Sequence, residues 1–215
     1  VLSDAYLGHI HEPVIIPPPE EVAEKVIRRE MPDPVPYEKF SQLKGDEVKL
    51  TPPPILGTDY YPGTFFSQPH GPTGVPFDSD AEALRFNLAL NKKITNNIDK
   101  IAMVDSRWVD DADILVIAYG LPVRSSYRAV DLARQEGIKV GVFRLITVWP
   151  FPFAAVKVAV AGKKAIVMPE MNLGIMADQV ERVTGPDVPV IRVPRIGDLH
   201  HPDEILKAIR EVASQ

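Results

Sequence analysis

The spacing of hydrophobic and polar positions changes part-way along the chain. Residues 111–215 alternate between short apolar runs and stretches of helical period, whereas residues 17–77 hold neither for long. Ile114-Leu-Val-Ile-Ala-Tyr119 is a nearly unbroken apolar run, as in a strand buried on both faces of a parallel sheet. Gly120 allows a tight turn, and Pro122 presets φ at a helix start where no amide donor is needed. Val123, Tyr127, Val130 and Ala133 then form one apolar helix stripe, with Arg124, Arg128, Asp131 and Arg134 facing elsewhere. Gly137 stops the helix, and Ile138-Lys-Val-Gly-Val-Phe143 predicts the next strand. Strand, helix and strand at this spacing make a right-handed βαβ unit.

The alternation continues to the end of the chain. Pro152 opens a helix that buries Phe153, Val156 and Val160, and Gly162-Lys163-Lys164 is a solvated turn before a third strand at Ala165–Met168. Asn172 caps a helix containing Ile175, Val180 and Val183, closed by Gly185 and Pro186. Val188–Val193 is a fourth strand, and His201-Pro202-Asp203 opens a last helix with Ile205, Leu206, Ile209 and Val212 toward the sheet. The pattern predicts an open, mostly parallel α/β sheet with helices on both faces.

Before it, the pattern is proline-broken. Most of the 22 prolines precede residue 80, with runs at 17–19 and 52–54. Proline cannot serve an interior helix or a central strand. Residues 1–16 suit two short strands around Gly8, and Glu20–Glu30 a short helix with Val22, Val26 and Ile27 on one face. Residues 31–77 read as an irregular arm with extended pieces at 47–50 and 63–67. Ser79-Asp-Ala-Glu82 is a capping box, after which Leu84, Leu88, Ile94, Ile98 and Ile101 predict one long helix to about residue 101. Residues 102–108 are a short connection into the sheet, for which an extended conformation is an open reading.

Composition narrows the function. The net charge of −5 gives no basic footprint for nucleic acid. No apolar run approaches the roughly 18–20 residues of a membrane span, and no signal peptide is visible. The absence of cysteine excludes a disulfide, a thiol nucleophile and an all-cysteine iron–sulfur site within these residues, and points to a cytoplasmic location. Val1-Leu2 reads as the tail of a strand, so a fragment of a longer protein is expected.

Several constellations suggest chemistry. The turn after the first buried strand holds only Gly120, and Pro122 removes a donor, so a dinucleotide cradle is not formed there. Gly162-Lys163-Lys164 lacks the upstream glycine and the Ser/Thr of a phosphate loop, and no G-x-S-x-G is present for hydrolase chemistry. His9 and His11 would share a strand face as a metal pair, but no further ligand is marked out. His200 and His201 suit a helix-cap region. Arg144 and Thr147 fall just past the second strand, where open α/β sheets place ligands, although a structural hydrogen bond suits Thr147 equally. Trp149-Pro-Phe-Pro152 is a packed corner or, if exposed, a protein contact. Glu170, Asn172 and Gly174 follow the third strand at a helix N-terminus, where a local cap and a contact with a partner are both open readings.

Together, A-Y-G at 118–120, G-I-K-V-G at 137–141, R-x-x-T-x-W-P-F-P from Arg144 and P-E-M-N-x-G at 169–174 resemble the α subunit of 2-oxoacid:ferredoxin oxidoreductases, specifically its transketolase C-terminal-like domain. L-S-D-A-Y-L-G-H-I-H-E at 2–12 resembles the close of that family's preceding domain. The resemblance implies the end of a pyrimidine-binding-type domain at 1–16, an arm at 17–77, a helix and connection at 78–110, and the α/β domain at 111–215. The 2-oxoglutarate type fits better than the pyruvate type through W-P-F-P.

The resemblance further implies a complete enzyme that oxidatively decarboxylates a 2-oxo acid to an acyl-CoA and reduces ferredoxin. That enzyme would use thiamine diphosphate, magnesium and iron–sulfur clusters. Its partners would be a thiamine-binding β subunit, a γ subunit and a ferredoxin-type subunit, with coenzyme A and ferredoxin as co-substrates. The G-D-G…N-N pattern of thiamine diphosphate enzymes is absent: Gly45-Asp46 is followed by Glu47, and Asn96-Asn97 stands in the expected helix. This chain alone is therefore expected to bind no cofactor and to serve assembly, with Arg144, Thr147, Trp149, Glu170, Asn172 and Gly174 at a subunit interface or the edge of the active site. The rival class is a stand-alone, non-catalytic α/β binding module.

Overall fold

The computed structural model describes residues 5–26, 42–44, 47–49, 70 and 75–214. Two compact units emerge, one made of Val1–Ile10 and Ile98–Gln215, the other of His11–Asn97.

The smaller unit holds helix α2 (Pro19–Lys25), a two-stranded antiparallel pair β1 (Gln42–Lys44) and β2 (Glu47–Lys49), and helix α3 (Asp80–Thr95). α3 begins as its sequence predicts: the Ser79 hydroxyl accepts from the Glu82 amide at 3.2 Å. It does not run on to residue 101. It ends at Asn96, the Asn97 side chain donates to the Lys93 carbonyl at 2.9 Å, and a separate short helix, α4 (Ile98–Ile101), follows in the larger unit. Asparagine offers the backbone such local alternatives, which makes it a poor residue for a helix interior. The helix expected over Glu20–Glu30 stops at Lys25, where Val26 turns extended, and the extended piece expected at 63–67 lies outside the described residues.

The larger unit starts with α1 (Ala5–His9), a short helix where two strands around Gly8 were expected. Alternate-residue pairing of His9 and His11 therefore does not arise, and no group of three metal-ligating side chains occurs among the described residues. The rest is β3 (Val104–Arg107), β4 (Ile114–Tyr119), α5 (Pro122–Gln135), β5 (Val140–Leu145), α6 (Phe153–Val160), β6 (Ala165–Glu170), α7 (Ile175–Thr184), a 3-10 turn at Gly185–Asp187, β7 (Val190–Pro194) and α8 (Pro202–Ala213). The sheet order is β3-β5-β4-β6-β7. β5, β4, β6 and β7 run parallel; β3 lies antiparallel on the β5 edge. The predicted open parallel sheet is thus found, with one added strand from the segment read as a connection.

The pleat sorts β4 onto two cores. Leu115 and Ile117 point to one layer with Phe143, Leu145, Ile166 and Met168, closed by Val156 and Val160 of α6 and Ala177 and Val180 of α7. Ile114 and Val116 point to the other with Val140, Val142 and Val167, closed by Val130 and Ala133 of α5 and Ile205 and Ile209 of α8. Each fully buried aliphatic side chain contributes about 1.5–3 kcal/mol. The surface ion pairs, such as Arg210 with Glu136 at 2.5 Å, are exposed and screened by solvent and contribute little. The two apolar layers therefore hold the sheet together.

Two residues behave differently from their sequence reading. Lys163 is not a solvated side chain; its ammonium donates to the Val109 and Ala112 carbonyls at 2.6 and 2.9 Å and ties down the approach to β4. Phe153 is exposed rather than buried and stacks edge-on against buried Phe151, ring centroids 4.8 Å apart. No helix of the described residues is long and apolar enough to cross a membrane.

Candidate functional site

β4 connects through α5 to β5 on one side, while β6 lies on its other side. The carboxyl ends of β4 and β6 therefore flank the point where the strand order reverses, the usual ligand crevice of an open α/β sheet. Tyr119 ends β4 and Glu170 ends β6.

The two side chains meet across that crevice. The Tyr119 hydroxyl donates to Glu170 Oε2 at 2.9 Å and accepts from Asn172 Nδ2 at 2.7 Å. Glu170 is 1% exposed. Its two oxygens also accept from the amides of Met176 and Ala177 at 3.0 and 2.9 Å. Asn172 Oδ1 takes the amides of Gly174 and Ile175 at 2.8 and 2.9 Å. The orphan donors at the start of α7 are thus consumed by two side chains of this chain. A helix N-terminus at this point normally attracts a ligand anion. Here the Glu170 carboxylate occupies that position as a built-in anion.

The sequence reading of Asn172 as a local cap holds in substance, though the residue formally flanking α7 is Gly174. Gly174 has φ 111°, and a Cβ there would meet Arg192 Nη1 at 2.6 Å. Arg192 is held to Asp178 and Glu181, both at 2.7 Å. Tyr119 was read only as the end of an apolar run. A usable signal was present, because a tyrosine closing a buried strand needs a partner for its hydroxyl, and Glu170 closes the neighbouring strand.

The other candidates separate from this group. Thr147 is structural: its hydroxyl donates to the Ile101 carbonyl at 3.2 Å and accepts from the Met103 amide at 3.0 Å, fastening the entry to β3. Arg144 lies within β5 rather than past it, exposed and in register with Asp105 of β3. Trp149 is 65% exposed, and the Trp149–Pro150 peptide is cis. Leu173 and Ile196, 71% and 70% exposed, follow the ends of β6 and β7, so the carboxyl edge carries an apolar rim around the polar centre. His201 caps α8 as expected, its amide donating to Glu204 Oε2 at 2.7 Å. His200 is buried and its Nε2 donates to the Val193 carbonyl at 2.7 Å.

Burial, reinforced by the Glu170 carboxylate, pushes the Tyr119 phenol up to about 12 from its ordinary 10. Because the folded value is raised, the contribution is complete below pH of about 10 and is lost as pH climbs through about 12. Stability should therefore fall across that interval in the parent chain, and less in Tyr119→Phe. Urea midpoints measured at pH 9 and pH 11.5 check this; equal pH dependence in both proteins would refute it.

A diphosphate cofactor does not fit these residues. The amides that would cradle it at α7 are already bonded, Pro122 has none to offer at α5, and the Asn97 side chain is turned back onto its own helix.

Comparison with known proteins agrees with the fold. Residues 112–205 match the family profile described as pyruvate:ferredoxin oxidoreductase core domain II. The chain is 38% identical to the 2-oxoglutarate synthase subunit KorA of Methanothermobacter marburgensis, covering 97% of this chain and 55% of that protein. It is 34% identical to the ketoisovalerate oxidoreductase subunit VorB of the same organism, covering 66% of this chain and 40% of that one. Among solved structures, the 2-oxoglutarate:ferredoxin oxidoreductase of Magnetococcus marinus superposes with a TM-score of 0.64 at 23% identity, covering 92% of this chain and 34% of that chain. The chain spans about half the length of the KorA relatives it matches. Its relatives are subunits of oxidoreductases, and with core domain II at its centre the chain belongs to the 2-oxoacid:ferredoxin oxidoreductase family.

Proposed function

We propose that the chain is the C-terminal part of the α subunit of a 2-oxoglutarate-type 2-oxoacid:ferredoxin oxidoreductase, and that it organises the enzyme rather than performing its chemistry. The observation that carries this is similarity to KorA along 97% of the chain, against 66% for VorB. The complete enzyme would convert a 2-oxo acid and coenzyme A to an acyl-CoA, passing electrons to ferredoxin in the cytoplasm. Thiamine diphosphate, magnesium and the iron–sulfur clusters would be held by the β, γ and ferredoxin-type subunits and by other parts of the protein. The internally satisfied crevice supports a scaffolding role, since its hydrogen bonds close within the domain.

The test is reconstitution. A complex assembled with the full-length α subunit that contains these residues should reduce a ferredoxin or viologen in a 2-oxoglutarate- and coenzyme A-dependent manner, and one whose α subunit lacks them should not. Equal rates from both complexes would overturn the proposal.

The carboxyl edge is then the face turned to a partner subunit, with Arg144, Trp149, Glu170, Asn172 and Gly174 on or beneath it. Asn172→Ala separates this from a purely local role. Loss of the cap bonds should cost about 1–2 kcal/mol in thermal melting of the chain. An interface role adds weaker association with the β subunit at a temperature where the variant stays folded. Full-strength association with only the melting loss would remove Asn172 from the interface.

A further inference from the structure

A second polar site lies at the opposite end of the sheet. Trp108 follows β3 and has φ 57°, the one positive φ outside glycine among the described residues. Such backbone is held only where its surroundings insist on it. Here β5 insists: the Trp108 carbonyl passes over Gly141, where a Cβ would stand 2.4 Å away. The turn sets the indole between arginines. The Arg107 guanidinium lies 3.8 Å from the ring centroid and that of Arg134 5.1 Å. Beside the ring is a shallow depression of about 370 Å³ lined by Trp108, Arg128, Asp131, Arg134 and Gln135.

The three arginines differ in what they have left to offer. Arg134 is committed, donating to Asp111 at 2.5 Å and to the Val140 carbonyl at 2.9 Å. Arg107 forms an ion pair with Asp131 at 3.7 Å, longer than a hydrogen bond, so its N–H donors make no hydrogen bond among the described residues. Arg128 is exposed and makes no hydrogen bond or ion pair among the described residues. Asp105 accepts from the Tyr127 hydroxyl at 3.4 Å, so the nearby acids balance the arginines in number but leave two forks unfilled.

We infer that the Trp108 shelf is an oxyanion-binding site, with Arg128 and Arg107 as its donors and a phosphate-bearing small molecule as its ligand. A guanidinium grips an edge of two oxygens. A carboxylate has one such edge and satisfies one fork, whereas a phosphate presents several and can satisfy both. The indole contributes by fixing the Arg107 fork in place. Nothing in the crevice between Tyr119 and Glu170 takes part, because Trp108 sits by the amino end of β5 and that crevice lies at the carboxyl ends.

Calorimetric titration of the 215-residue chain with inorganic phosphate and, separately, acetate at matched ionic strength tests this. Phosphate should bind saturably at one site, at least tenfold tighter than acetate. Arg128→Ala and Arg107→Ala should each weaken phosphate tenfold or more, while Lys157→Ala, on exposed α6 surface, should leave it unchanged. In a Trp149→Phe background the remaining Trp108 fluorescence should follow the same isotherm. Arg128 is exposed, so an unchanged melting temperature in Arg128→Ala accompanies the expected loss. Absence of saturation, an unaltered affinity in Arg128→Ala, or acetate binding as tightly as phosphate would each overturn the assignment.

Discussion

Glu170→Ala should destabilise the sheet domain by about 3–5 kcal/mol, the range for removing one partner of a buried charged network. Three donors lose their acceptor at once: the Tyr119 hydroxyl and the amides of Met176 and Ala177. Each is left in a site that water reaches poorly, since Glu170 is 1% exposed. Truncation also leaves a void between β4, β6 and α7, which adds to the loss. Glu170→Gln keeps the volume but brings an NH₂ group, so one donor must face another donor; about half the loss should remain. Urea unfolding followed by circular dichroism gives both values. A shift in Glu170→Ala below about 1 kcal/mol would mean that the carboxylate is not the group holding α7 against the sheet.

The second large effect belongs to Gly141. It needs no left-handed backbone; it needs room. An added Cβ would lie 2.4 and 2.8 Å from the Trp108 carbonyl oxygen and carbon and 3.0 Å from the Arg107 oxygen, all main-chain atoms that cannot swing aside. Gly141→Ala should therefore push the end of β3 off β5 at a cost of about 3 kcal/mol, the upper part of the usual overpacking range. Its signature would be local: amide exchange in residues 104–108 should quicken while β4 and β6 stay protected. Melting within 0.5 kcal/mol of the parent would show that the β3–β5 edge adjusts freely.

Both sites show what the sequence discloses and what it withholds. The four parallel strands were legible because each is a short apolar run with a turn signal beside it. The second strand begins two residues later than its apolar run suggests. The Ile138 amide instead closes the end of α5 on the Ala133 carbonyl at 3.1 Å, and pairing starts at Val140. β3 is legible as an extended connection but not as a member of the sheet. Val-Asp-Ser-Arg carries one apolar residue, and its pairing is decided by a distant partner strand. Gly141 did offer a signal, since a glycine inside a strand often marks close backbone approach, but nothing local names the backbone that approaches.

The candidate site divides in the same way. Asn172 at a helix start is local information and was readable as a cap. The Tyr119–Glu170 bond joins residues 51 apart in sequence and depends on the strand order, which periodicity does not encode. Asn96-Asn97 breaks the helix even though the apolar stripe continues on both sides of it, so the stripe alone does not reveal the break.

The position of β3 has a consequence for synthesis. It is the first strand of its sheet to leave the ribosome, yet its partner is β5 and its register reaches Leu145. At about 5–20 residues per second, residues 108–145 take on the order of seconds to appear. Through that interval β4 and α5 are made while the edge strand waits without a ladder. The three charged or hydroxyl side chains of Asp105, Ser106 and Arg107 keep the waiting strand soluble, which is what unpaired strands require to avoid associating with their neighbours. The polarity that hides β3 from sequence reading thus protects the nascent chain.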